Sequence, residues 1–202
     1  MQIDEIFEAD KRIKKKKRTT PLLNSPFLDE IADRQIFIKA ECLQHTGSFK
    51  FRGAYSAISS IPIEKRKKGV IAYSSGNHAQ GVAFAAKIHK IPATIIMPED
   101  APEIKINNTK DLGAEVILYD RLSENREKIG QKISEERLLS LIPPYDHNDV
   151  IAGQGTIGLE IASQAEQIGI GKADVLVCCG GGGLTSGIAV ALSTLMPDFV
   201  TR

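Results

Sequence analysis

From Val70 onward, short apolar runs alternate with stretches in which apolar residues recur every three or four positions. The runs are VIAY (70–73), TIIM (94–97) and VIL (116–118), each followed by a helix-like segment. Runs of this kind suit strands buried on both faces, and their alternation with helices predicts βαβ units on a parallel sheet. Ala79, Val82, Ala83 and Ala86 share one face of the first connecting helix. Pro102 suits the first position of the second helix, and Gly113 suits its end. A fourth run, LLSLI (138–142), leads into Pro143 and Pro144, which continue neither a helix nor a central strand, so a crossing between domains is expected there. Beyond it Ile157, Ile161, Ala165 and Ile168 share a helical face. The strand DVLVCC (174–179) then meets four glycines, and another helix opens near Leu184.

Before the alternating region, Ile3, Ile6, Phe7 and Ile13 are spaced for one helical face, with the basic run KRIKKKKR (11–18) on the solvated side. That run is the one candidate for nucleic acid. The whole chain, however, carries 26 basic and 25 acidic residues for a net charge of +1, so no global field favours nucleic acid or an anionic membrane. The start, MQIDEIFEAD, has no apolar signal segment, and no run is long enough to span a bilayer. Cys42, Cys178 and Cys179 form no CxxC pair, which makes a reducing cytoplasm the expected compartment.

Three loops carry the candidate chemistry. Gly180, Gly181, Gly182 and Gly183 lie between a strand and a helix, where bare backbone N–H groups and a positive helix end can close on an anion. The same run also reads as a tight turn packed on its helix. The spacing fits neither GxxxxGK[ST] nor GxGxxG, because Thr185 and Ser186 follow. Lys50 falls in the first turn of a helix that opens near Ser48 or Phe49, with Ser48 the candidate N-cap. A cation there opposes the helix dipole, and burial would lower its pKa further, leaving a neutral amine for attack on a carbonyl; an exposed lysine is the plainer alternative. Ser74, Ser75, Gly76, Asn77 and His78 join VIAY to its helix, either as a row of donors to a carboxylate or as a capped turn. His45, His89 and His147 match no metal-ligand spacing, so no metal-centred site is expected.

Together, Thr20-Pro21-Leu22, Ser48-Phe49-Lys50-Phe51-Arg52-Gly53-Ala54, SSGNHAQG (74–81), Gly153-Gln154-Gly155-Thr156 and the GGGGL run resemble the fold-type II pyridoxal-phosphate enzymes, in particular the threonine/serine dehydratase and serine racemase group. The resemblance implies two parallel-sheet αβα domains of the tryptophan synthase β-like architecture. Residues 1–60 and 147–202 would belong to a large cofactor-binding domain, incomplete here, and 61–146 to a small domain between them. It implies Lys50 as the lysine bonded to the cofactor, with Phe49 beside it, Asn77 on the ring hydroxyl, and Gly180–Gly183 with Leu184 at the phosphate. Ser74, Ser75, Gly76, Asn77 and His78 would receive the substrate carboxylate. The reaction so implied is loss of water from L-threonine or L-serine, yielding a 2-oxo acid and ammonia, by a homodimer. Ser75 stands where dehydratases commonly carry alanine and racemases carry the serine that protonates the opposite face. Racemisation and a hydroxyaspartate substrate therefore stay in play, as does a non-catalytic fragment, since the group facing the pyridine nitrogen and the cation site of the family lie past Arg202.

Overall fold

The computed structural model describes all of residues 1–202. Helix α1 (Ile3–Ile13) leads into a small antiparallel pair, β1 (Leu22–Asn24) and β2 (Phe37–Lys39), bridged by α2 (Pro26–Ala32). Two short 3-10 turns, Glu41–Leu43 and His45–Gly47, bring the chain to α3 (Lys50–Ser60), followed by the single turn α4 (Ile63–Arg66). Next come β3 (Val70–Tyr73), α5 (Asn77–His89), β4 (Ala93–Pro98), α6 (Glu103–Asp111), β5 (Glu115–Tyr119), α7 (Arg126–Arg137) and β6 (Ser140–Leu141). Their four strands form one parallel sheet in the order β5-β4-β3-β6, as the alternation predicted. The chain closes with α8 (Asn148–Gln167), β7 (Ala173–Val175), α9 (Gly183–Leu195) and β8 (Phe199–Thr201), the last strand pairing parallel with β7.

The apolar faces land largely where their spacing placed them, except that Phe7, expected on the apolar face of α1, is exposed while Ile6 and Ile13 are buried. Ala79, Val82, Ala83 and Ala86 are buried in one core with Phe51, Ala54 and Ile58 of α3 and with Val70, Ala72, Ile95 and Met97 of the sheet. Each fully buried large side chain there contributes roughly 1.5–3 kcal/mol of apolar transfer. A second cluster joins Ile157, Ile161 and Ala165 of α8 to Ile188 and Leu192 of α9 and to Phe199. Ile168, expected on that face, caps α8 and is exposed. Gly113 ends α6 with φ +93°, and Pro102 sits one residue before the helix, at its N-cap. The strand expected over 174–179 is assigned at Ala173–Val175, and its ladder continues one bond further, from Val177 N to Arg202 O.

The basic N-terminal run is only partly solvated, which corrects the amphipathic reading. Lys17 is 7% exposed and pairs with Asp10 at 2.8 Å and Glu160 at 2.7 Å. Glu160 also takes Lys39 at 2.6 Å and Arg52 at 2.8 Å, and Arg52, wholly buried, reaches Glu41 at 2.7 Å. This hub pins the N-terminal segment and the first turn of α3 to α8. The two helices cross almost in contact: a Cβ on Gly153 would lie 2.6 Å from Arg52 O and 2.7 Å from Gly53 Cα. No helix of the structure is long and apolar enough to cross a membrane.

Candidate active site

Lys50 is the first residue of α3, with Phe49 at the N-cap. Ser48, expected to cap the helix, does not: its Oγ is buried without a partner. Because Lys50 opens a helix pinned by Arg52 two residues on, its backbone is rigidly placed. Its ammonium donates to the carbonyl of Pro144 at 2.6 Å and lies 5.2 Å from the Phe49 ring centre. Burial lowers the Lys50 pKa from the ordinary lysine value, with no carboxylate to oppose it. The half-buried setting that the sequence suggested for this lysine is found, and it disfavours the charged form.

One cavity of about 310 Å³ gathers Phe49, Lys50, Gly180–Gly183 and Leu184 with Pro144, Tyr145 and Gln154. That volume is at the small end for small-molecule sites. The glycine run approaches it from the N-terminus of α9. Gly182 is the N-cap with φ +83°, a left-handed conformation that glycine adopts without strain. A Cβ at Gly180 or Gly182 would meet nothing within 4 Å, whereas at Gly181 it would fall on the Tyr145 ring. The turn is thus lined on one side by an aromatic ring and open on the other, and its amide groups and helix dipole favour an anion.

The Ser-Gly-Asn loop opens α5, and that helix packs beside the lysine: a Cβ on Gly81, within α5, would lie 3.1 Å from the Lys50 carbonyl carbon. His78 is buried and its Nε2 bonds Ile142 O at 2.9 Å, two residues before the carbonyl that holds Lys50. Burial pushes its pKa down to about 4, the Ile142 carbonyl opposes that, and the Lys50 charge adds to it. Asn77 is exposed at the first position of α5. Ser74 and Ser75 line a separate, polar cleft of about 330 Å³ at the carboxyl ends of β3, β4 and β5, with Arg121, Arg126 and Glu127. The structure therefore unites Lys50, Phe49, Leu184 and the glycine run in one cavity and sets the serines in a neighbouring one. Tyr145 and Gln154 were missed by sequence reasoning as lining groups. Gln154 stood inside a recognised motif, but nothing local marked its direction.

These features agree with comparisons to known proteins. A model of the pyridoxal-phosphate dependent enzyme family matches residues 13–202. An L-threo-3-hydroxyaspartate ammonia-lyase of Saccharomyces cerevisiae is 49% identical over 194 residues, covering 96% of this chain and 58% of that protein. A serine racemase of Schizosaccharomyces pombe is 47% identical over 196 residues, covering 96% of this chain and 59% of that protein. Among solved structures, a T.th. threonine deaminase superposes with a TM-score of 0.90 at 42% identity, over all of this chain and 64% of that one. Maize serine racemase gives a TM-score of 0.91 at 39% identity, over 99% of this chain and 60% of that one. The chain thus spans about three-fifths of the length of these relatives.

Proposed function

This chain belongs to the pyridoxal-phosphate dependent enzyme family, and on that premise we propose that it is the lysine-bearing part of an ammonia-lyase acting on a small hydroxy-amino acid such as L-threonine or L-serine. The observation that carries the reading is the single cavity in which a half-buried lysine faces a glycine turn at a helix N-terminus. The residues present fit the cofactor. Gly180–Gly183 and the start of α9 suit its phosphate, the Lys50 amine suits its aldehyde carbon, and Phe49 and Tyr145 offer apolar walls. When bound, pyridoxal phosphate supplies an electron sink for charge that develops at the substrate Cα.

The chain's own part is placement and proton transfer. Lys50 Nζ, neutral for a larger share of the time than an exposed lysine, takes the proton from Cα as general base. The hydrogen bond to Pro144 O orients that nitrogen, and the Arg52 hub keeps the turn beneath it from shifting. The loop from Ser74 to His78 would receive the carboxylate on backbone and hydroxyl donors, and Asn77 would meet the ring hydroxyl of the cofactor. In this reading residues 1–60 and 147–202 would form the cofactor-binding domain and 61–146 the small one; one core packs α5 against α3 across that division. A cytoplasmic homodimer is part of the same reading; the three free cysteines support the compartment and family analogy the dimer.

A second reading, a hydroxyaspartate substrate, rests on one observation: the cleft of Ser74 and Ser75, lined also by Glu124 and Glu127, holds two arginines. Arg121 is paired with Asp100 at 2.7 Å, while Arg126 lies over the Tyr73 ring and has a carboxylate no closer than Glu127 at 3.8 Å. Arg126 is therefore the better placed to take a second carboxylate. Titration with pyridoxal phosphate beside Lys50→Ala tests the central assignment. A visible band that borohydride removes, with the label mapping by mass to Lys50 and absent from Lys50→Ala, is expected. Identical spectra for the two proteins would overturn it.

A further inference from the structure

Threonines inside the α-helices of this chain follow one habit, with one exception. Thr109, Thr156 and Thr194 each donate to a carbonyl of the preceding turn, those of Lys105, Gly153 and Val190. This local bond is how a helical hydroxyl is ordinarily satisfied. Thr185, the third residue of α9, has no helical turn behind it to accept such a bond, and its Oγ1 is buried without a partner. It lines the same cavity as Lys50 and the glycine run.

A second polar group shares that cavity and that condition. Gln154 is 1% exposed, and its Oε1 is buried with no hydrogen-bond partner. Its amide end is pressed on the turn that carries the lysine, since a Cβ on Gly53 would meet Gln154 Nε2. Half a turn about the last side-chain torsion exchanges the amide oxygen and nitrogen, so the carboxamide can present either hydrogens or a lone pair. The two residues also converge. Gly155 and Gly187 mark the close crossing of α8 and α9, with a Cβ on Gly155 only 3.0 Å from Gly187 O, and Gln154 and Thr185 flank that crossing on the cavity side.

Buried polar side chains without partners are rare in folded proteins, and two in one cavity point to a ligand that satisfies both. The ligand must also be held without much help from fixed charge, because Lys50 is the one charged residue of the lining. A phosphate dianion there needs neutral donors, and its oxygens offer more acceptor sites than four glycine amides can fill. Resting on the cofactor reading above, we propose that the Thr185 hydroxyl and the Gln154 carboxamide donate to the cofactor's phosphate. They complete a cradle whose backbone half is Gly180–Gly183. Their role is discrimination: they bind the phosphorylated form of the cofactor and contribute nothing to pyridoxal.

The test titrates the full chain with pyridoxal phosphate and, separately, with pyridoxal, reading the visible band and equilibrium dialysis rather than turnover. Thr185→Val, of nearly the same shape, is expected to weaken pyridoxal phosphate binding about tenfold, the scale of one lost hydrogen bond to a charged group, with pyridoxal binding unchanged. Thr185→Ser, which keeps the hydroxyl, restores affinity. Gln154→Met repeats the Val pattern, and inorganic phosphate competes less well against either apolar variant. Circular dichroism confirms that each variant is folded, and the Ser variant keeps the test standing if Val is not. Equal loss for both ligands, or no loss in either apolar variant, overturns the proposal. Failure of the unsubstituted chain to take up pyridoxal phosphate is a different result, visible before any substitution, and removes the cofactor reading together with this one.

Discussion

The ammonium of Lys50 donates to the carbonyl oxygen of Pro144 at 2.6 Å, tying the first turn of α3 to a segment 94 residues later. Burial lowers the pKa of that ammonium. Dimethylation with labelled formaldehyde keeps the charge and gives each lysine an NMR signal. Two signals are expected to titrate below the others, those of the buried Lys39 and Lys50, and only the second is absent from Lys50→Ala. If all lysines titrate together, the lysine is not in the environment described.

The hub around Arg52 predicts a strong contrast between buried and exposed ion pairs. Glu160→Gln leaves Arg52, Lys39 and Lys17 short of their shared carboxylate, and breaking a buried pair costs about 3–5 kcal/mol. Glu64→Gln removes an exposed partner of Lys67 and should change stability by less than about 0.5 kcal/mol. Urea unfolding of both variants checks the difference, and comparable costs would mean that the hub is solvated.

Acid should destabilise the chain over two pH ranges. Burial pushes His78 and His89 down from 6.5 to about 4, so the unfolded chain binds more protons than the folded one between those values. Stability is then lost as pH falls from 6.5 toward 4. For Glu160, burial acts upward, but the hydrogen bond and charge of Arg52, with Lys17 and Lys39, outweigh it and bring the carboxyl to about 2. Its contribution is complete above 4.5, of order 3 kcal/mol, and is lost between 4.5 and 2. Urea midpoints measured from pH 7 to pH 2 should fall throughout. His78→Asn should flatten the upper range and Glu160→Gln the lower.

What the sequence made legible is what depends on near neighbours. The β3, β4 and β5 strands, the buried face of α5 and the place of Lys50 at a helix start all follow from residues within a turn or two of one another. What it concealed depends on distant partners. Lys17 looked solvated because its carboxylate, Glu160, comes 143 residues later. Ser48 looked like a cap, but the helix begins one residue further on, with Phe49 at its N-cap. Thr185 and Gln154 differ from other helical polar residues only in the bonds they do not make, which no spacing encodes.

The crossing of α3 and α8 predicts a position-specific cost for an added methyl group. Gly153→Ala drives a Cβ into the backbone of Arg52 and Gly53, neither of which can rotate aside. Overpacking of this kind costs about 1–3 kcal/mol, against a helix-propensity gain for alanine of about 1 kcal/mol, and with backbone on both sides the upper end is expected. Gly171, exposed with nothing within 4 Å of its Cβ position, serves as the control and should tolerate alanine at about 0.5 kcal/mol or better. Thermal unfolding of the pair decides whether the helices are as close as described.

Arg126 separates the two substrate readings. Its guanidinium lies over Tyr73 at the mouth of the Ser74–Ser75 cleft, with its nearest carboxylate, Glu127, at 3.8 Å. A planar guanidinium can grip a carboxylate through two parallel hydrogen bonds, and losing a charge-assisted pair of that kind costs about 1.5–3 kcal/mol, or tenfold and more in affinity. If the substrate carries a second carboxylate, Arg126→Met should weaken binding of 3-hydroxyaspartate by that factor and leave L-serine nearly untouched. The comparison is made on cofactor-loaded protein, with the spectral change on amino-acid addition as the readout, so that binding is scored whether or not turnover follows. Equal loss for both amino acids would make Arg126 a structural partner of Tyr73. No loss for either would remove Arg126 as the site of a second carboxylate and favour the monocarboxylate substrates, because Arg121, the cleft's other arginine, is held by Asp100 at 2.7 Å.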